Sequence, residues 1–87
     1  MPPRWPIAVE PGDDVYCWGV IVPDLPGCFS AGETLAEALQ NAPIAIATHL
    51  ALLREDNEVL PCPRQIEDHF DHPDYTGMLW SLALVAE

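Results

Sequence analysis

The run from Thr34 to Asn57 limits this chain more than any other feature. Leu35, Ala38, Leu39, Ala42, Ile46, Leu50 and Leu53 recur at three- and four-residue spacing, the period at which side chains share one face of an α-helix. Thr34 with Glu37 fits a capping box, in which the hydroxyl accepts from one free N–H and the carboxylate from another. Glu33 and Glu37 suit the positive end of the helix dipole, and Arg54 the negative end. Asp56-Asn57 ends the run. Pro43 lies inside the pattern and removes the hydrogen bond to the Leu39 carbonyl, at a cost of about 3 kcal/mol or a kink. Because the apolar face keeps its phase across Pro43, the pattern predicts one kinked helix and not two.

The remaining apolar runs are too short for typical helices. Residues 4–10, Arg-Trp-Pro-Ile-Ala-Val-Glu, predict a first strand, in which Pro6 marks a strand beginning or an unpaired position because it has no N–H to donate. Pro11-Gly12-Asp13-Asp14 is a turn by composition. Residues 15–22, Val-Tyr-Cys-Trp-Gly-Val-Ile-Val, are β-branched and aromatic and predict a second strand, paired with the first as a hairpin. Pro23-Asp24-Leu25-Pro26-Gly27 breaks the ladder with a turn, at which Gly27 can supply a positive φ. Cys28-Phe29-Ser30-Ala31 predicts a short third strand, ended by Gly32. Pro61-Cys62-Pro63 is a connector, residues 64–70 a short helix, Asp71-His72-Pro73-Asp74 a turn, and residues 77–85 a last strand. The fold class is therefore α+β, in the order β-β-β-α-(α)-β, within a single domain spanning 1–87.

Both alternating sets of side chains in 15–22 are apolar, and the last strand is similar. One long helix covers only one face of such a sheet. The other face is expected to serve at least partly as an interface, since large open apolar patches usually mark one. The alternative is that the short helix and the loop at 57–76 cover it. Apolar faces and open strand edges also point to a homodimer or higher homo-oligomer.

Charge narrows the partners. The 87 residues carry 14 Asp and Glu against 3 Arg and no Lys, a net charge of −11. Binding to a phosphate backbone needs several cations to displace condensed counterions, and an anionic membrane surface is disfavoured for the same reason. Direct nucleic-acid or membrane binding by this chain is thus not expected, whereas a basic protein would be attracted and steered. An apolar content of 49% argues against disorder. Cys17, Cys28 and Cys62 have no paired spacing, and no apolar run has the length of a secretory signal or a membrane span. Reduced thiols in a cytoplasm are the expectation.

Chemistry is sparse. Asp68-His69-Phe70-Asp71-His72-Pro73-Asp74 is rich in metal-ligand types and would serve a metal-dependent hydrolase. A proline interrupts it, however, and zinc sites hold their ligands on rigid elements, so a solvated acidic loop is the expectation. The cysteines with His49 are too far apart and too unpatterned for a metal site. Asp13-Asp14 and Glu55-Asp56 fall at turns or element ends, and the strand interiors have no carboxylates for a two-metal nuclease. Ser30 and Ser81 have no nucleophile-elbow glycines, and no glycine-rich phosphate loop is present. No catalytic residue, metal or cofactor is expected.

The segment Pro23-Asp24-Leu25-Pro26-Gly27-Cys28 carries a family resemblance, joined by Trp5-Pro6-Ile7, Ser30, Gly32, Thr34, Glu37-Ala38, Asn41-Ala42, Ala45-Ile46, His49-Leu50, Glu55-Asp56, Pro61 and Pro63. Over roughly residues 5–86 the chain resembles the HicB antitoxins of bacterial type II toxin–antitoxin pairs. The resemblance implies a partial RNase H-like fold: three antiparallel strands, a long helix, and a last strand beside the first. It also implies a partner, the small basic HicA-type ribonuclease, held inactive by occlusion of its active site. Two features depart from the family. The 87 residues end right after the last predicted strand, where relatives often continue into a DNA-binding segment, and Pro43 stands where a helix former is usual.

An antitoxin masking a basic mRNA-cleaving toxin is the leading expectation, with Trp18, Asp24 and Leu25 as candidate toxin contacts. The alternative is a stand-alone domain of the same fold that binds a small ligand or itself.

Overall fold

The structure is a computed structural model that describes residues 3–85. The outermost positions of the expected 1–87 domain, 1–2 and 86–87, lie outside the described residues. Four strands and one long helix follow the predicted order: β1 (Arg4–Glu10), β2 (Trp18–Ile21), β3 (Phe29–Gly32), α1 (Leu35–Glu55) and β4 (Leu79–Leu84). The predicted short helix is a single 3-10 turn at Ile66–His69, and a second 3-10 turn spans Pro73–Tyr75, where a plain turn was expected.

All pairings are antiparallel, in the order β3-β2-β1-β4, so the last strand lies beside the first. Trp5, Ile7 and Val9 of β1, with Val20, Val22, Ala83 and Val85, belong to the core that α1 closes with Ala38, Ala42, Ile46 and Leu50. These four helix residues are all at or below 1% exposure, as the predicted spacing requires. Pro6 lies in a stretch where β1 pairs with β4 alone, since the β1–β2 ladder covers only Ala8–Glu10. Its missing N–H thus costs no bond on the β2 side.

The helix is continuous through Pro43. Thr34 Oγ1 accepts from Glu37 N–H at 3.1 Å, which is the hydroxyl half of the predicted box. At the far end Asn57 takes φ 57°, Glu58 N–H donates to the Leu53 carbonyl and Asn57 N–H to the Arg54 carbonyl. That pair of bonds is a Schellman stop. Gly32 lets β3 run directly under the first turn of α1. A Cβ there would overlap the backbone nitrogen of Ala38 and lie 2.8 Å from the Glu37 carbonyl carbon.

The second strand is shorter than predicted. Val15 and Tyr16 stand outside it, 80% and 72% exposed. Asp13 explains the loss. Its Oδ1 accepts from Val15 N–H at 2.7 Å and Tyr16 N–H at 2.9 Å, while its own N–H donates to the Tyr16 carbonyl. A closed local turn thereby takes the backbone groups a longer ladder would need. The bonds from Tyr16 and then Val15 hold the Asp13 carboxyl below the usual carboxylate range.

The sheet face away from α1 is divided. The 66–75 segment covers Trp80: His69 stacks on it, and Phe70 and Tyr75 meet it edge-on at centroid distances of 5.9 and 5.6 Å. Pro6 and Ala8, on the same face, are buried. Phe29, Leu82 and Leu84 remain 65%, 44% and 57% exposed.

Candidate functional site

The Pro23–Cys28 turn is folded as a tight double reversal. Leu25 N–H donates to the Val22 carbonyl, Cys28 N–H to the Leu25 carbonyl, and Val22 N–H to the Cys28 carbonyl, at 3.0, 3.0 and 3.3 Å. Gly27 adopts φ +85°, which favours glycine. The reversal drives Leu25 inward to 0% exposure and leaves Cys28 at 3%. Burying such a leucine stabilises a fold by about 1.5–3 kcal/mol. Burial also pushes the Cys28 thiol pKa up.

Asp24 is the polar centre of this turn. Its Oδ2 accepts from Arg64 N–H at 3.0 Å and lies 3.2 Å from His69 Nε2. A carboxylate is acceptor-only, so the imidazole Nε2–H is the donor. The two side chains are 6% and 10% exposed. The His69 ring also stacks on Trp80, 5.9 Å between centroids at 13°. One carboxylate therefore ties the β2–β3 turn to the returning segment that covers the second sheet face.

Of the three candidate contacts, Trp18 is half-buried at the start of β2 and packs against the core. Asp24 and Leu25 face inward, where the first holds the turn and the second fills the core. Pro23 is half-buried, and Pro26 and Gly27 are exposed at the tip. His69 went unnoticed in the sequence except as one member of the His/Asp-rich segment. Six of the seven residues of that segment are exposed, as expected of a solvated acidic loop, and His69 is buried against Trp80. Asp68 accepts from Gln65 N–H, His72 Nδ1 accepts from Asp74 N–H, and His69 turns to Asp24. His72 and Asp74 lie 3.8 Å apart, and among the described residues no three metal-ligand side chains converge.

Three of the 14 acidic residues meet at the β1–β2 turn. Asp13, Asp14 and Glu33 border an open hollow at the β1–β2 turn together with Val15, Tyr16 and Cys17. Exposed Tyr16 beside three carboxylates suits cationic side chains, since an aromatic face attracts a cation and the carboxylates pair with it.

Fold and turn together define a small α+β domain whose motif residues serve conformation and surface shape. Residues 5–86 match the family described as HicB-like antitoxin of bacterial toxin-antitoxin system, and the chain belongs to that family. A 14.9 kDa uncharacterized protein from the rep-hol intergenic region of Haemophilus phage HP1 is 48% identical over 86% of this chain and 55% of its own length. Antitoxin HicB of Escherichia coli K12 is 35% identical over 79% of this chain and 49% of its own. The chain spans about half the length of these curated relatives.

The crystal structure of the N-terminal domain of Burkholderia pseudomallei antitoxin HicB is 36% identical, with a TM-score of 0.81 over 97% of this chain and 99% of that one. A chain of the HicA3 and HicB3 toxin-antitoxin complex is 26% identical, with a TM-score of 0.79 over 97% of this chain and 99% of that one. The expected α+β architecture, with one long helix on a four-stranded antiparallel sheet, is that of the HicB N-terminal domain. The expectation of a non-enzymatic chain agrees with membership of an antitoxin family. No helix among the described residues is long and apolar enough to cross a membrane.

Proposed function

We propose that this chain is the toxin-binding domain of an antitoxin that neutralises a small basic HicA-type ribonuclease by covering its active site. The observation that carries the reading is the likeness over 97% of the chain to a member of the HicA3 and HicB3 complex, joined to a net charge of −11. A basic toxin is drawn to the acidic end of the sheet. There Asp13, Asp14, Glu33 and exposed Tyr16 meet its cations, and Trp18 lies at the adjoining end of β2. Asp24 and Leu25 support this surface from inside. The domain acts in the cytoplasm, as three free thiols suit, and needs no cofactor. It makes no direct contact with nucleic acid. It also associates with a second copy of itself.

Co-expression with the small basic protein encoded beside it tests the reading. The expected outcome is growth arrest by that protein alone, relief when this chain is co-expressed, and co-purification of the two. Arrest that persists with this chain present, or a neighbour that is not toxic, overturns it.

A further inference from the structure

The sheet face away from α1 is divided in charge as well as in cover. The register Phe29↔Ile21, Ile21↔Ala8 and Ala8↔Trp80 sets these four residues in one row across all four strands, on that face. The 66–75 segment covers the Trp80 end of the row. The other end is open, with Phe29 65% exposed and Ile21 half-buried. Two residues along each strand, the next row of the same face is Glu10, Gly19 and Ala31. Gly19 has no side chain and Ala31 only a methyl group, so β2 and β3 form a flat shelf beside the Phe29 ring.

The shelf leads into a hollow of about 310 Å³. Its walls include Ile21 and Phe29, Pro23 and Pro26 of the family turn, and Asp74 and Tyr75 of the returning segment. Three backbone hydrogen bonds and the Asp24 carboxylate fix the turn, so this wall is preformed.

Charge selects the occupant. The Glu10 side chain lies beside Gly19, where an added Cβ would meet the Glu10 Cβ and Oε2 at 3.8 and 3.9 Å. Asp74 lines the hollow with its side chain 79% exposed. Carboxylates thus stand at both ends of the shelf, and no arginine lines the hollow. Arg4 and Arg64 border a different hollow, shared with Leu82 on the β4 side. The Glu10 end leads directly into the β1–β2 turn, where Asp13, Asp14 and Glu33 meet. A second copy of this acidic chain meets like charge here, whereas a basic protein meets opposite charge.

We propose that the β2–β3 half of this face is the docking surface for a basic protein, which seats an apolar side chain against Phe29 in the hollow and sets its cations on Glu10 and Asp74. The proposal rests on the antitoxin reading and deepens it: the occupant is the toxin, held by an aromatic anchor as well as by charge. Aromatic anchors in preformed pockets, ringed by polar groups, carry much of the energy of an interface. The family turn then acts on two sides. Asp24 and Leu25 fix the fold from within, and Pro23 and Pro26 wall the hollow outside.

Titration calorimetry of the chain with the small basic protein encoded beside it tests the proposal. Phe29→Ser is expected to weaken binding at least about tenfold, because it removes the anchor. Gly19→Thr is expected to do the same by filling the shelf, while its melting temperature holds or rises. Its added Cβ meets nothing closer than 3.8 Å, and threonine suits a strand better than glycine does. Ile44→Ser and Leu52→Ser, at exposed positions of α1, are expected to leave affinity within about twofold, as for residues outside an interface.

Binding of normal strength in either shelf variant overturns the proposal and leaves the antitoxin reading standing. A loss caused by the α1 variants instead assigns the contact to the helix, and also overturns it. A wild-type chain that does not bind its basic neighbour overturns the antitoxin reading, and the proposal with it. Should one shelf variant fail to fold, the other decides.

Discussion

Asp24 and Leu25 illustrate how one motif divides its work between polarity and volume. Leu25 fills core space, while Asp24 accepts from Arg64 N–H and His69 Nε2–H in a site with little water. Removing the acceptor leaves two donors unpaired, at about 1–3 kcal/mol. Asp24→Ala is therefore expected to cost about that much in urea unfolding. His69→Ala also loses its stack on Trp80, worth about 0.5–1.5 kcal/mol. A double-mutant cycle of the two is expected to show coupling of about 0.5–3 kcal/mol, as for residues in contact. Simple additivity would mean the two do not act together.

The cysteines give a second residue-scale prediction. Cys28 is buried with its pKa raised, whereas Cys17 and Cys62 are exposed. The thiolate is the reactive form, so a thiol reagent at about pH 8 should modify two sites quickly in the native chain and the third only on unfolding. Three equally fast reactions would contradict the packing of the Pro23–Cys28 turn.

At the scale of elements, α1 tolerates Pro43 because the core face Ala38, Ala42, Ile46 and Leu50 runs unbroken across it. The tertiary burial of that face outweighs the missing bond to Leu39. Pro43→Ala restores an N–H donor and helix propensity worth about 3 kcal/mol, offset in part by greater freedom of the unfolded chain, about 0.4–1 kcal/mol. A net gain of about 2–2.5 kcal/mol is expected, and thus a rise of roughly ten degrees or more in Tm. No change would mean that the proline makes packing contacts of equal value. The Asp13 turn shows the opposite balance: a strongly β-forming stretch, Val15 to Cys17, is kept out of the sheet by one carboxylate.

For the whole molecule, the net charge of −11 sets how the proposed toxin contact responds to salt. The toxin contact joins opposite charges. Raising salt from about 0.1 M to 1 M shortens the screening length from about 10 Å to about 3 Å. Toxin affinity is expected to fall over that range. Titration calorimetry measures it. A toxin complex indifferent to salt would remove charge from the account of recognition.

The sequence by itself determined the elements and their order. The three- and four-residue period of α1, the β-branched runs and the Pro-Asp-Leu-Pro-Gly turn are local patterns, and local sterics and hydrogen bonding act on them directly. The Asp13 turn was legible in composition, but the length it removed from β2 was not, because two structures competed for the same backbone groups. The pairing of Asp24 with His69 spans 45 residues and leaves no periodic trace. It depends on how the chain returns across the sheet. The same return decided which half of the second face is covered, around Trp80, and which half stays open, at Leu82 and Leu84. Burial of that kind follows from what packs against a strand, and the strand carries the same apolar residues in either case.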